Sequence, residues 1–413
     1  MGKAAGRAED VVKFRVERDV LGEAVSWVAR ALPTRPVVPV LSGMVVRADA
    51  AGLTLSCFDY EVSARVVVPA DVGEPGEALV PGRLLAEITR SLPAAAAEVS
   101  SAGDMLMLSC GSAEFSLVAL ALEDYPSLPD LPGVVGTVDG GALATAAAQV
   151  VPSSSRDDTL PMLTGVCMDI AGDRVTFAAT DRYRLAVRTI GWAPADPDIA
   201  ARALVPARTL ADIAKTMSPG VPVTVAFGSP GGEAGRGADG LISFEGGGRR
   251  LTARLIGGEF IRYESRFPAE FGSTADLPAV QFTDAVRRVS LVADRTSPVR
   301  LTFRPDSVLI EARSDGRARG IESVPVRFGG GEQAIAFSPH YLLDGLAAAT
   351  LSGHDAEPED GAAAGAGWIR LEFTTAAKPA LITWAGAGDQ PATGESASAF
   401  RYLVVPLRVP ATG

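Results

Sequence analysis

The chain runs to 413 residues, 47% of them hydrophobic, with a formal net charge of −11, three cysteines and two histidines. A length of that order accommodates two or three domains, and no apolar run reaches the roughly 18 residues that a membrane span needs. The opening "MGKAAGRAEDVVKF" lacks the apolar stretch of a secretory signal, and Cys57, Cys110, Cys167, His340 and His354 show no metal-ligand spacing, which argues against zinc sites and histidine-dependent catalysis.

Residues 1–10 read as a disordered tail. Val12–Val16 alternates like a short strand, after which Val20, Leu21, Ala24, Val25 and Val28 fall on one face of a helix. A hairpin follows in "VPVLSGMVVRADAAGLTLSCFDYEVSARV", turning at Ala50-Ala51-Gly52. Residues 77–93 predict a second helix, and "DMLMLSCGSAEFSLVAL" predicts further strands. Cys57 and Cys110 fall in these strand patterns and Cys167 in a later one; all three read as reduced cysteines packed as small apolar residues in a cytoplasmic protein. Proline-rich "YPSLPDLPGVVG" (125–136) closes this stretch.

The same order then recurs. "GTVDGGALATAAAQVV" reads as strand then helix, and "LPMLTGVCMDIAGDRVTFAATDRYRLAV" (160–187) repeats the first hairpin 122 positions on, with Pro39 and Pro161 each 20 residues ahead of an aspartate, Asp59 and Asp181. A second helix (202–218), strands in "LISFEGGGRRLTARLI" and the boundary "RFPAEFGSTADLPAV" (266–280) follow. The third unit opens with Ala285, Val286, Val289 and Val292 at helical spacing, turns its hairpin at Arg304-Pro305-Asp306, and continues through "QAIAFSPHYLLDGLAAA" and "WIRLEFTTAAKPALITW". The three second helices align Leu85 with Leu210 and Leu342, and Glu87 with Asp212 and Asp344. Glycine-rich 228–240 and 353–367 read as flexible hairpin loops. The chain is therefore three units, each running βαβββ twice: an α+β architecture with two helices per unit on one sheet face.

Three units in a row make an arc, and an arc with different ends closes head to tail into a ring. The helices of every unit carry basic residues, among them Arg18, Arg30, Arg83, Arg90, Arg208, Lys215, Arg287 and Arg288, in a chain of net charge −11. An acidic rim around a basic hole suits a polyanion held by non-specific phosphate contact. No base-reading motif is present.

With these features in place, the chain resembles the bacterial DNA polymerase III beta subunit, the sliding clamp, and in particular its actinobacterial members. The likeness covers roughly residues 11–410 and rests on "RPVVPVLSGM", "RDDTLPMLTGV", "ATDRYRLAV", "YLLDGL" and the terminal "YLVVPLRVP", five motifs in order on a triplicated chain. It implies three clamp (processivity-fold) domains, 11–130, 131–272 and 273–413, each with two helices packed on antiparallel sheets, in a head-to-tail homodimer ring. It implies duplex DNA as a partner without sequence specificity, held by Arg35, Arg83, Arg90, Arg156, Arg208, Lys215, Arg287 and Arg288. The DNA polymerase III alpha subunit, the clamp loader and other proteins with a clamp-binding motif are the further partners implied, with no cofactor, metal or membrane and no catalysis. The implied partner-peptide pocket takes Leu163, Thr180, Asp181, Arg182, Tyr183, Arg184 and Leu185 from the second unit, Ile261, Ser265 and Arg266 from the linker, and Tyr341, Leu403, Val404, Val405, Pro406, Leu407 and Arg408 from the third.

Two positions depart from the family pattern. Clamps commonly carry Met where this chain has Val405, and Pro where it has Ile261 in "FIRY". Loss of a flexible Met and a rigid Pro reshapes the floor of a cavity, which raises the reading of a divergent second clamp copy that confers resistance to a clamp-binding antibiotic. At the ring joint, the resemblance places Glu114, Phe115 and Leu117 on one edge and Leu291 on the other; Glu114 facing Arg313, Arg317 and Arg319 would partly reverse the family's charge pattern and favour self-pairing. The rival classes are an enzyme, for which no GxxxxGK[ST], GxSxG or HExxH motif is present, and a repeat-built protein-interaction scaffold that binds no DNA.

Overall fold

In a computed structural model of the chain, residues 12–217, 219–228, 240–294, 297–314, 316–354, 367–388, 391 and 399–408 are described. The expected tail, most of both glycine-rich loops and the last two residues of the "YLVVPLRVP" motif lie outside them. The first repeat contributes β1 (Lys13–Val16), α1 (Arg18–Ala29), β2 (Gly43–Asp49), β3 (Gly52–Phe58), β4 (Val62–Val68), β5 (Asp71–Glu74), β6 (Gly76–Pro81), α2 (Gly82–Ser91), β7 (Ala97–Ala102), β8 (Met105–Cys110) and β9 (Ala113–Val118). The second contributes β10 (Val134–Asp139), α3 (Gly140–Val150), β11 (Gly165–Ala171), β12 (Arg174–Thr180), β13 (Arg184–Gly191), β14 (Ala193–Pro194), β15 (Ala200–Pro206), α4 (Ala207–Ala214), β16 (Pro222–Gly228), β17 (Leu241–Gly246) and β18 (Arg249–Arg254). The third contributes β19 (Ser273–Pro278), α5 (Ala279–Ser290), β20 (Val299–Phe303), β21 (Ser307–Ser314), β22 (Ala318–Pro325), β23 (Arg327–Gly329), β24 (Gln333–Phe337), α6 (Pro339–Leu351), β25 (Gly367–Phe373), β26 (Ala380–Ala387) and β27 (Phe400–Val404). Each repeat adds one short strand to the doubled βαβββ pattern: β5, β14 and β23 carry "DVGE", "AP" and "RFG", too short for an alternation to show.

Contacts divide the chain into two compact units, Met1–Thr137 with Val221–Leu255 and Val138–Gly220 with Ile256–Gly413. In the first, β5-β1-β7-β8-β9 form a five-stranded sheet, and β16-β17-β18-β4-β3-β2-β6 run side by side in another. In the second, nine strands follow the order β15-β11-β12-β13-β27-β26-β25-β19-β23, and β22-β21-β20-β24 form a separate sheet. The repeats meet strand to strand and antiparallel: β4 pairs with β18, with Val62 opposite Ala253, and β13 pairs with β27, with Arg184 opposite Val404.

The helices pack in pairs, α1 on α2, α3 on α4 and α5 on α6, with α3 also against α6. Leu85, Leu210 and Leu342, aligned by the repeat, are all buried, at 3%, 0% and 0% exposure, each stabilising the fold by about 2 kcal/mol. Helix α3 starts at Asp139, whose carboxylate accepts from the Ala142 and Gly220 amides at 2.9 and 2.7 Å, relieving the unpaired donors of the first turn. Buried Gln149 ties α3 to α6, its Nε2 donating to the Ala348 carbonyl and Ser352 Oγ, each at 2.9 Å.

Candidate functional site

The corner between β12 and β13 sets the site. Thr180 Oγ1 donates to the Arg184 carbonyl at 2.6 Å, and Asp181 Oδ1 accepts from the Tyr183 and Arg184 amides at 3.0 and 3.1 Å. This Asx turn forces Arg182 to φ 81°, a left-handed backbone that residues other than Gly adopt with strain. The turn tips Arg182 and Arg184 toward the neighbouring β27, where the chain leaves the sheet through Val405, whose amide donates to the Tyr183 carbonyl at 2.8 Å.

Arg184 organises the floor. Its side chain is 6% exposed, its Nε donates to Asp181 Oδ2 at 3.0 Å, its Nη1 to Asp344 Oδ2 on α6 at 2.5 Å, and its Nη2 to the Pro152 carbonyl. The guanidinium also lies 4.6 Å from the centre of the Tyr341 ring, which stacks on Tyr183 at 6.1 Å. Buried cations persist only when paired and hydrogen-bonded in this way.

Over this floor opens a cavity of about 540 Å³. Leu163, Leu185 and Leu403 form its apolar wall together with Ile261 and Val405; Thr180, Arg182, Arg184, Ser265 and Arg266 supply its polar groups. Leu185 and Leu403 belong at the same time to a buried cluster with Cys167, Ala178, Val187, Phe260, Tyr263 and Leu381, so the wall is held by the core behind it. The linker carrying Ile261 and Ser265 is fixed by Tyr263, whose hydroxyl donates to Asp169 Oδ2 at 3.3 Å, and Arg202 pairs with the same carboxylate. A few polar groups on an apolar, largely pre-formed concavity of this size bind an extended apolar segment and fix its direction.

Ten residues expected at the pocket therefore line one cavity, and Pro379 joins them. Pro379 stands just before β26, the strand that pairs with β27; a proline at a strand start was its only signal in the sequence. The other expected residues surround the cavity without lining it. Asp181 holds the corner, and Tyr183 and Tyr341 form the stacked pair. Val404 is fully buried on the opposite face of β27, and Pro406 is buried beyond it. Leu407 is 38% exposed, its amide donating to the Ala336 carbonyl at 2.7 Å, and Arg408 is exposed.

The basic positions are less uniform than their sequence placing. Arg35, Arg90 and Arg156 are exposed. Arg83 turns back, its Nη2 donating to the Leu32 and Pro33 carbonyls at 3.1 Å. Arg208 and Lys215 flank Asp212 at 3.9 and 3.8 Å, Arg287 pairs with Asp284 at 2.6 Å, and Arg288 makes a two-pronged contact with Glu322. Glu114, Phe115 and Leu117 lie on β9, an edge of the five-stranded sheet, and Leu291, 82% exposed, caps α5. Among the described residues, no three His, Cys, Asp or Glu side chains gather to hold a metal ion.

Fold and cavity together define a class: an α+β protein built from three like repeats, with a cleft of peptide dimensions where the second and third repeats join. Residues 12–129, 137–261 and 264–356 match, in turn, the N-terminal, central and C-terminal domains of the DNA polymerase III beta subunit. The beta sliding clamp of Streptomyces coelicolor is 47% identical over 398 residues, covering 96% of this chain and all of that one. A protein of Streptomyces muensis named beta sliding clamp homolog GriR is 39% identical over 96% of this chain and 99% of its own length. Among solved structures, the DNA polymerase sliding clamp of Bacillus subtilis superposes with a TM-score of 0.81 at 24% identity, over 97% of this chain and all of that one. A sliding clamp of Pseudomonas aeruginosa bound to griselimycin does so with 0.80 at 23%, over 96% of this chain and all of that one. The chain belongs to the DNA polymerase III beta subunit family, the beta sliding clamps.

Proposed function

We propose that two copies of this chain, each of three domains (11–130, 131–272 and 273–413), close head to tail around duplex DNA in the bacterial cytoplasm. The ring tethers the DNA polymerase III alpha subunit and other partners by a short linear motif seated in the pocket, and it performs no chemistry. The observation that carries this reading is the convergence of Leu163, Leu185, Ile261, Leu403 and Val405 with Arg182 and Arg266 on one cavity of about 540 Å³. Exposed Arg35, Arg90 and Arg156 supply phosphate contacts directly. Arg208, Lys215, Arg287 and Arg288 exchange carboxylate partners for phosphates, which makes DNA contact strongly dependent on salt. The test is topological: loaded onto nicked circular DNA by a clamp loader, the protein stays until the circle is cut and then slides off. Retention on the cut DNA overturns the ring, and a scaffold that binds no DNA never loads.

A second reading rests on Val405, 37% exposed, and Ile261 in the pocket wall. A branched Val in place of a flexible Met and an Ile in place of a rigid Pro give this wall a different shape from that of the family pattern. In that reading the chain is a second clamp copy that accepts its partners' motif while excluding a cyclic peptide antibiotic from the ordinary pocket. Griselimycin binding to this protein and to the Streptomyces coelicolor clamp, measured side by side by calorimetry, decides it; equal affinities end the idea.

A further inference from the structure

We infer that the pocket selects a partner segment whose apolar anchor is accompanied by a carboxylate, received by the guanidinium groups of Arg182 and Arg266. The inference rests on the pocket reading above and adds the charge of the segment that fills it.

Five polar side chains line the cavity, and three of them are already engaged by the chain itself. Thr180 Oγ1 donates to the Arg184 carbonyl at 2.6 Å and accepts from the Arg182 amide at 3.1 Å. Ser265 Oγ donates to the Arg262 carbonyl at 3.0 Å. A hydroxyl has one proton to give, so neither side chain has a donor left for a ligand. Arg184 directs its three nitrogens to Asp181, Asp344 and the Pro152 carbonyl, and two carboxylates answer its charge.

Arg182 and Arg266 remain. Both are exposed at the cavity, and among the described residues no ion pair joins either to a carboxylate. The acidic residues nearby are turned elsewhere. Asp181 holds Arg184, and Glu264 faces Arg202 at 3.5 Å. Asp157, close enough to Arg182 to feel its charge, accepts from the Thr159 amide and hydroxyl at 3.0 and 2.6 Å. No carboxylate is among the described residues that line the cavity. Its wall therefore presents two unanswered positive charges in a chain of net charge −11.

That inventory decides what the pocket recognises beyond an apolar side chain. A guanidinium offers a planar fork of N–H donors and no acceptor. A backbone carbonyl satisfies one prong; a carboxylate takes two in parallel and brings the opposite charge. An apolar residue seated against Leu163, Leu185 and Leu403 displaces water from the mouth, which strengthens the attraction. A lysine in the same place is repelled, so the two arginines reject basic segments as well as favour acidic ones. They stand on different elements, Arg182 at the corner between β12 and β13 and Arg266 on the linker between β18 and β19, so each is tested separately.

The experiment uses the full chain and three fluorescein-labelled hexapeptides that end in Leu-Phe-amide and differ at one upstream position, which carries Asp, Asn or Lys. In fluorescence anisotropy at about 50 mM salt, the Asp peptide binds about ten-fold more tightly than the Asn peptide, and the Lys peptide binds most weakly. The Asp-over-Asn ratio shrinks to about two-fold at about 500 mM salt. Arg182→Gln and Arg266→Gln each lower that ratio, and Arg266→Glu turns the preference toward the Lys peptide, with thermal melts showing each variant folded. Equal affinities for the Asp and Asn peptides, both weakened by Val405→Trp across the cavity, overturn the charge selection and leave the pocket reading standing. Failure of all three peptides to bind, or binding indifferent to Val405→Trp, overturns both. Should oligo(dT) displace the peptides, and the two Gln variants weaken the oligonucleotide without changing the Asp-over-Asn ratio, the arginines serve phosphate and the inference falls.

Discussion

Asp59 and Asp181, 122 positions apart, hold their chains in the same turn. Asp59 Oδ1 accepts from the Glu61 and Val62 amides at 3.1 and 2.7 Å, as Asp181 Oδ1 does from Tyr183 and Arg184, and the residue after each aspartate is left-handed: Tyr60 at φ 74° and Arg182 at φ 81°. In the third repeat the equivalent position is Gly316, at φ 69°, where the conformation is free of strain. The first repeat fills the space beside its corner with Tyr125, whose hydroxyl accepts from the Phe58 amide at 2.7 Å. The second leaves a cavity there. Tyr60 keeps the same strain where no cavity opens, so the turn belongs to the corner, while the Arg182 side chain lines the cavity; Arg182→Gly should raise stability by up to about 1 kcal/mol while weakening a pocket-directed peptide several-fold. Thermal melts and fluorescence anisotropy on the same samples read both. A variant with unchanged peptide affinity would make the corner purely structural.

Arg184 reaches Asp344 across 160 positions, and no substitute reproduces its three directions at once. Arg184→Lys has one ammonium for Asp181, Asp344 and the Pro152 carbonyl, so it should behave much like Arg184→Ala. Each is expected to cost about 2–3 kcal/mol of stability, because Asp181 and Asp344, 13% and 27% exposed, lose their shared guanidinium and the Pro152 carbonyl loses its donor. Urea unfolding measures it; a lysine variant as stable as the parent would show that charge without fork geometry suffices.

That contact marks where sequence reading ran out. The hairpins, the corner aspartates and the aligned Leu85, Leu210 and Leu342 were legible because they follow from periodicity within a few residues, and repetition multiplied the signal. Seven of the pocket's lining residues lie in the motifs that carry the family resemblance, and Ile261, Ser265 and Arg266 were placed from the linker between the second and third units. Pro379 was not, since its place depends on β26 lying beside β27. The helix arginines were visible as basic residues, but the pairing of Arg288 with Glu322, 34 positions away, was not; pairs such as Arg208 and Asp212, four apart, could have been foreseen from helical spacing.

Alkali should weaken the fold. Burial pushes the thiols of Cys57 and Cys167 up from 9.0 to about 12, and burial also raises the phenols of Tyr125, Tyr263 and Tyr402. All five groups keep protons in the folded chain that the unfolded chain releases. Their contribution is thus full below about pH 9 and is lost as pH rises toward 12. Urea midpoints at pH 8 and pH 10.5 should differ, with the lower midpoint at pH 10.5; an equal or higher midpoint there contradicts the burial of these groups. Thiol reagents at pH 8 should label Cys57 and Cys167 only on unfolding.

Gly345, in the "YLLDGL" motif, links the third repeat's helix to the pocket. A Cβ at this position would stand 2.4 Å from Cε1 of Tyr402. Helix α6 therefore approaches β27 more closely than any side chain permits, and the fully packed Tyr402, 1% exposed, donates its hydroxyl to the Tyr341 carbonyl at 2.7 Å. Gly345→Ala gains helix propensity of up to about 1 kcal/mol and loses more through overpacking, typically about 1–3 kcal/mol. The net should be destabilising by about 1–2 kcal/mol. The displaced ring carries Tyr341 and Leu403 with it, so peptide affinity should fall together with stability. Gly345→Ala combined with Tyr402→Leu tests the cause, because a side chain lacking the ring edge removes the clash. Stability partly recovered in the double variant, read by urea unfolding, supports the packing account; a double variant less stable than the sum of the two single changes refutes it.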